Sequence, residues 1–172
     1  ELGLKTIIID DGWQTDDNAL GYAYCGDWQV CEKKFPDFKR FVQDVHAAGM
    51  RVMVWFSLPF AGEKSRNFER FQGKYLCHNS HNQASVLDPR YPEVREFLVD
   101  TYVNFIQRYE IDGFKFDFID EFRFADEVIP FGVGMDCACV EDGVAKLVSQ
   151  AAQRIRAVNP AALIEFRQKY IG

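Results

Sequence analysis

Lys115-Phe116-Asp117 is the segment of this 172-residue chain best equipped for chemistry. In a strand, alternate side chains share a face, so Lys115 and Asp117 point one way and Phe116 and Phe118 the other. At about 7 Å apart along a strand, the two charges can converge on one ligand. A nearby ammonium favours the ionised carboxylate, the form a nucleophile needs. Charges set among core phenylalanines must be paired or solvated, so a structural salt bridge is the competing reading.

Two other groups could join this pair. Asp10-Asp11-Gly12-Trp13 closes a β-branched run. Adjacent acids cannot both point inward, so one can accept hydrogen bonds from ligand hydroxyls while the other caps the next turn. The alternative is an Asp-Gly turn beside a core tryptophan. In Gly26-Asp27-Trp28, Trp28 is either a stacking platform for the CH face of a sugar or a pin for a long loop. Asp120 and Glu121 follow Asp117 at once, as rim ligands or helix caps. His46, His78 and His81 have no partners at metal-ligand spacing, and no Ser-His-Asp set can be assembled. Neither a metal nor an organic cofactor is expected.

The elements that must position these residues alternate. Strand-like runs cover Thr6 to Asp10, Arg51 to Phe56, Gly113 to Phe118 and Ala162 to Phe166. Helical periodicity follows Pro36-Asp37, with Gly49 as its stop, and follows Asp88-Pro89 through Val94, Phe97, Leu98, Thr101, Phe105 and Tyr109. A last helix carries Val144, Leu147, Val148, Ala151 and Ile155 and stops at Asn159-Pro160. Ser65 to Phe71 reads as a short helix. Tyr75 to Leu87 is a polar excursion with a short strand at Ser85-Val86-Leu87. Strands separated by helices mean parallel βα units. No glycine-rich phosphate loop follows the first strand, which argues against a dinucleotide fold. Charged residues instead stand where strands end, at Asp10, Asp11, Asp117 and Arg167, as on the active rim of a (β/α)8 barrel. A full barrel takes about 250 residues. The fold expected is α/β, a partial (β/α)8 TIM barrel of about four βα units. Residues 1–172 would be one part of a single barrel domain, cut at both ends.

The net charge of -6 and the lack of a basic stripe exclude nucleic acid as a partner. No apolar run is long enough to span a bilayer, so no membrane partner is expected. The five cysteines match no zinc spacing and read as free thiols of a reducing, cytoplasmic compartment. Aromatics make up 15% of the chain. They fit a sugar cleft as well as a core, with the core favoured by their periodic placement.

Taken in order, these motifs resemble the catalytic domain of glycoside hydrolase family 36, the melibiase-type α-galactosidases. Asp10-Asp11-Gly12-Trp13, Gly26-Asp27-Trp28, Lys34-Phe35-Pro36, His46 with Gly49, and Lys115-Phe116-Asp117 each match a family segment. The resemblance implies that Asp117 attacks the anomeric carbon. It implies that Lys115, Asp10 and Asp11 bind hydroxyls of the terminal sugar and that Trp28 walls the site. The general acid/base would lie on a later strand, leaving this chain inactive by itself, and a homo-oligomeric parent is left open. There are departures. Trp55-Phe56-Ser57-Leu58-Pro59 stands for the family's Trp-Phe-Glu-Pro-Glu, Ile119 for an Asn, and Phe166-Arg167-Gln168-Lys169 for Cys-Ser-Gly-Gly. They imply a divergent branch in which Arg167 takes over a ligand contact. Asp112 to Asp117 also resembles the α-amylase strand Gly-Phe-Arg-x-Asp, with Lys115 in place of Arg. The family 31 α-glucosidases share the Lys-Phe-Pro helix but place no Lys two residues before the nucleophile. A non-catalytic sugar-binding barrel is the reading from another class.

Overall fold

The computed structural model describes residues 3–17, 19–124 and 128–167. The sheet that carries the candidate site has four strands. They are β1 (Thr6–Ile9), β2 (Arg51–Ser57), β6 (Gly113–Asp117) and β7 (Leu163–Phe166), in the order β1-β2-β6-β7. Every pairing is parallel. This is the sheet of a partial (β/α)8 barrel, with the strands within a residue or two of the expected runs.

Register decides which side chains share a face. Trp55 pairs with Lys115 and Lys115 with Glu165, while Ser57 pairs with Asp117. Met53, Trp55, Ser57, Lys115, Asp117 and Glu165 therefore line one face. Val54, Phe56, Phe114 and Phe116 line the other, and it is this second face that the helices cover. Helix α1 (Phe38–Ala47) and helix α3 (Pro92–Tyr109) bring Phe38, Tyr102 and Phe105 into a ring-packed core. Phe56 lies 5.1 Å from Phe105, and Phe116 lies 4.5 Å from Tyr102. Burying such rings contributes about 1.5–3 kcal/mol each before entropy is counted, so this face fixes the strands from behind.

The helix boundaries follow from local chemistry. Asp37 caps α1 by accepting from the Arg40 N–H, and Gly49 turns the chain with φ of +77°. Only glycine adopts that conformation without strain. The α3 boundary differs from the expected one. Asp88 does not cap it, because both carboxylate oxygens of Asp88 accept from the guanidinium of Arg90 in a buried pair. The helix instead starts at Pro92, whose fixed φ suits a first turn. Its buried face also turns toward Arg95, Val99, Tyr102 and Ile106, leaving Phe97, Thr101 and Tyr109 half-exposed. Helix α4 (Val140–Val158) closes the set.

The excursion between β2 and α3 is more ordered than its polarity suggested. Strands β3 (Phe60–Gly62), β4 (Tyr75–Asn79) and β5 (Ala84–Leu87) form an antiparallel sheet in the order β3-β5-β4, with helix α2 (Arg66–Arg70) between β3 and β4. His78 is clamped there, with Nδ1 3.1 Å from Ser85 Oγ and Nε2 3.1 Å from Glu63. His46 is structural too. Its Nε2 lies 2.7 Å from Asp112, whose carboxylate also accepts from the Val52 N–H, so one acid ties α1 to the starts of β2 and β6.

Gly113 tests the β6–β7 contact. A Cβ there would lie 2.0 Å from the Leu163 carbonyl oxygen, a backbone atom that cannot swing aside. Gly113→Ala should cost about 1–3 kcal/mol, as overpacking does, and lower the thermal midpoint by roughly 2–4 °C per kcal/mol. An unchanged midpoint in calorimetry would show that β7 is not held this closely.

Candidate active site

The inner face of the four-stranded sheet gathers five of the six candidate residues. Asp117 ends β6, half-buried. Its Oδ2 accepts from the Trp55 indole N–H at 3.1 Å and its Oδ1 from the Phe118 N–H at 2.9 Å. Phe118 takes a left-handed conformation with φ of 64°, uncommon for a bulky residue and costing about 1–2 kcal/mol. The surrounding rings of Tyr22, Trp55 and Phe60 hold it there. The chain thus bends sharply just past Asp117 and leaves its carboxylate at the end of the strand.

Lys115 does not serve Asp117 as its direct partner. Its ammonium, nearly buried, lies 2.7 Å from Asp10 Oδ2. Partial burial pushes the Asp10 carboxyl up. The Lys115 hydrogen bond, the Asp11 N–H and the charges of Lys115 and Arg167 outweigh it and hold the group below the usual carboxylate value. Arg167, exposed at the end of β7, is anchored by its N–H to the Phe116 carbonyl at 2.7 Å, and its charge reaches Asp10. Gln168 and Lys169 lie outside the described residues. Asp11 behaves differently from its neighbour. Loss of hydration, with the Asp10 charge adding to it, raises its carboxyl despite hydrogen bonds from Gln14 and Gly12.

The structure puts both tryptophans of the early motifs behind the sheet. Trp13 is buried against Phe56 and Phe105 and donates its indole N–H to the Trp55 carbonyl at 2.7 Å. Trp28 is only 5% exposed, 4.6 Å from Phe56 and stacked on Trp13. It pins the β1–α1 loop, the alternative that the sequence left open, and meets Trp55 edge-on at 6.0 Å, so it backs the residue that holds Asp117 and presents no face of its own to a ligand. Packing decides this, because Phe56 belongs to the helix-covered face.

Tyr22 takes that place instead. It stacks on Trp55 at 5.9 Å and meets Phe118 edge-on. Burial, then the charges of Asp11, Cys25, Asp117 and Asp10, pushes its phenol up to about 12, so it remains a neutral O–H donor across ordinary pH. Tyr22 sits in an aperiodic loop and left no signal in the sequence. Trp55 and Glu165 did leave one, since strand alternation places both on the face of Lys115. Ser57 is fully buried and accepts from the Phe60 N–H at 3.3 Å, so it shapes the turn into β3. Among the described residues, no group of three or more His, Cys, Asp or Glu side chains could hold a metal ion. Nor is any helix among them long and apolar enough to cross a membrane. The arrangement presents one carboxylate fixed by two N–H donors beside an ion pair and a phenol. That set is suited to a neutral, hydroxyl-rich ligand whose one carbon becomes positively charged.

Comparison with known proteins assigns the chain to a family. Residues 1–127 match the Melibiase family. The chain belongs to that family. Alpha-galactosidase 1 of Pediococcus pentosaceus is 30% identical over 128 residues, which is 68% of this chain and 17% of that protein. The bifunctional alpha-galactosidase/sucrose kinase of Mediterraneibacter gnavus is 32% identical over 127 residues, 67% of this chain and 13% of its own length. The chain therefore spans less than a fifth of these relatives. Among solved structures, the Lactobacillus brevis alpha-galactosidase aligns with TM-score 0.72 at 24% identity, covering 95% of this chain and 22% of that one. A Geobacillus stearothermophilus family 36 enzyme variant in complex with stachyose aligns with TM-score 0.73 at 19% identity, covering 94% and 23%. These two establish the barrel fold.

The Asp10–Lys115 pair has a pH signature. Because the folded Asp10 value lies below the ordinary 3.8, its contribution is complete above that value and is lost as pH falls through the lower folded one. Urea unfolding followed from pH 6 to pH 2 should show a shallower acid limb for Asp10→Asn than for wild type. The difference should be small, since Asp10 is 60% exposed. Parallel curves would mean that the pair adds nothing to stability.

Proposed function

We propose that this chain is part of a retaining glycoside hydrolase that releases terminal α-galactosyl residues from oligosaccharides, with Asp117 as the nucleophile. The observation that carries the reading is the carboxylate of Asp117, fixed by Trp55 and Phe118 at the end of a barrel strand and facing the Asp10–Lys115 pair. Family membership supports the reaction class. Asp117 forms a bond to the anomeric carbon as the glycosidic C–O bond breaks, and the leaving oxygen takes a proton from a second carboxyl group. Water then cleaves the glycosyl ester with that second group acting as base. Preorganised N–H donors keep the nucleophile oriented without reorganisation during the reaction. Asp10 and Lys115, locked together, offer an acceptor and a donor to sugar hydroxyls, with Asp11, Tyr22 and Arg167 beside them.

A retaining enzyme places its second carboxyl about 5–5.5 Å from the first. Asp10, held ionised by Lys115, is a poor proton donor. The acid/base is assigned to a later barrel strand of the longer protein, which makes the 172-residue chain inactive alone. Turnover of an aryl α-galactoside by the isolated chain would overturn that part of the reading.

In the full-length protein, Asp117→Gly should reduce hydrolysis of an aryl α-galactoside by roughly 10³–10⁶-fold, the scale seen when a nucleophile is lost. Azide should restore turnover and yield the β-galactosyl azide. Comparable activity in the variant without azide would make Asp117 structural. Sugar binding without turnover by wild type would favour the non-catalytic barrel, and cleavage of α-glucosides alone would move the assignment to another epimer.

A further inference from the structure

The helix-covered side of the sheet holds a cavity that takes no part in the site described above. Its volume is about 590 Å³, within the roughly 300–1,000 Å³ usual for ligand pockets. The loop leading into α1 forms one wall and the C-terminal half of α3 the other. Trp28, Phe38 and Phe105 are its buried floor, and the half-buried rings of Phe35 and Tyr109 complete the apolar lining. Trp28 and Phe105 pack on Phe56, so the cavity lies behind β2 while Asp117 lies in front. Because β2 is bordered by β1 and β6, further barrel strands add beyond β1 and β7 and leave this place unfilled.

Most charges at the mouth are already answered. Asp27 accepts from the Asn67 side chain at 3.0 Å, Asp37 accepts from the Arg40 N–H at 2.9 Å, and Lys39 pairs with Glu110 at 2.7 Å. Glu32 and Arg108, both exposed, balance each other in sign. A phosphate would meet acids on entry, an ammonium would find Asp27 and Asp37 occupied, and a lipid tail would meet a polar mouth. The groups left over suit hydroxyls. The ring faces of Trp28 are packed, but its indole N–H is closed off from solvent with no acceptor among the described residues. A buried donor in that state is costly, and an oxygen settling on the floor would supply the acceptor. The side-chain amides of Gln29 and Asn104 have no hydrogen-bond partner among the described residues. The guanidinium of Arg108 lies 5.2 Å over Tyr109 with no carboxylate paired to it among them. Asn104 and Arg108, four residues apart, share one face of α3.

We infer that this cavity is a second sugar-binding site, on the outer wall of the barrel. It takes a neutral hexose unit, with the apolar face of the ring against Phe35 and Tyr109 and the hydroxyls bonded to Asn104, Arg108 and Gln29. The sheet and its aromatic layer stand between this site and Asp117, so it retains a sugar at the protein surface and does not present a bond for cleavage. The choice of galactose as the probe rests on the function proposed above.

Equilibrium dialysis of the full-length protein with radiolabelled galactose would count the sites and give their affinities. Asn104→Ala/Arg108→Ala removes two groups at exposed helix positions where alanine is well tolerated. In this variant the dissociation constant of one site should rise about tenfold or more, the scale of two hydrogen bonds. The thermal midpoint should be unchanged and kcat/KM for an aryl α-galactoside within about twofold of wild type. Gln29→Ala, on the opposite wall, should weaken the same site by a smaller factor without touching α3. Identical binding in wild type and variants, or no binding in any of them, would overturn the inference. So would weaker binding matched by an equal loss of hydrolysis, because the site lost would then be the catalytic one. If wild type hydrolyses no α-galactoside, the galactosidase reading fails. In that case, weaker galactose binding in the folded variants still supports the cavity.

Discussion

Two hydrogen bonds meet at Trp55, and the site depends on both. The Trp55 carbonyl accepts from the Trp13 indole, which fixes the chain just past β1 behind the sheet. Its own indole, on the opposite face, donates to Asp117. One residue of β2 thus joins the hydrophobic layer under the helices to the carboxylate on the open face. The β2–β6 register is what makes this possible, since a slip of one residue would put Trp55 and Asp117 on opposite faces of the sheet. The aromatic packing behind the sheet therefore sets where the charges in front of it stand.

Around that anchor, charge is arranged by pairing rather than by proximity alone. Lys115 answers Asp10, and Arg167 adds its field from β7. Asp117 is held by two N–H donors instead of by an ammonium. A carboxylate fixed in this way keeps its orientation while its lone pairs remain directed outward, and the nearly buried Lys115 has its counter-ion within 2.7 Å. Burying such a charge without its partner would be costly, which gives the Asp10–Lys115 contact a structural role besides any ligand role.

Much of this was legible in the sequence. Alternation placed Lys115 and Asp117 on one face, short apolar runs separated by helical periods marked the four barrel strands, and Asp37 and Gly49 marked the ends of α1. Other features needed three dimensions. Asp88 looks like a helix cap until Arg90 is seen to occupy both of its oxygens. Trp13 and Trp28 carry the same composition signal whether they face a sugar or a core, and only packing against Phe56 separates the two outcomes. Tyr22 lies in a loop with no period to read. The antiparallel sheet β3-β5-β4 hides in a polar stretch, because the pairing of short strands is a non-local property.

The Asp10–Lys115 contact joins residues 105 positions apart. Closing so long a loop is entropically expensive, and long-range strand pairing is slow. The charged constellation of the inner face is therefore a late arrival in folding, complete only once β1, β2 and β6 stand in register.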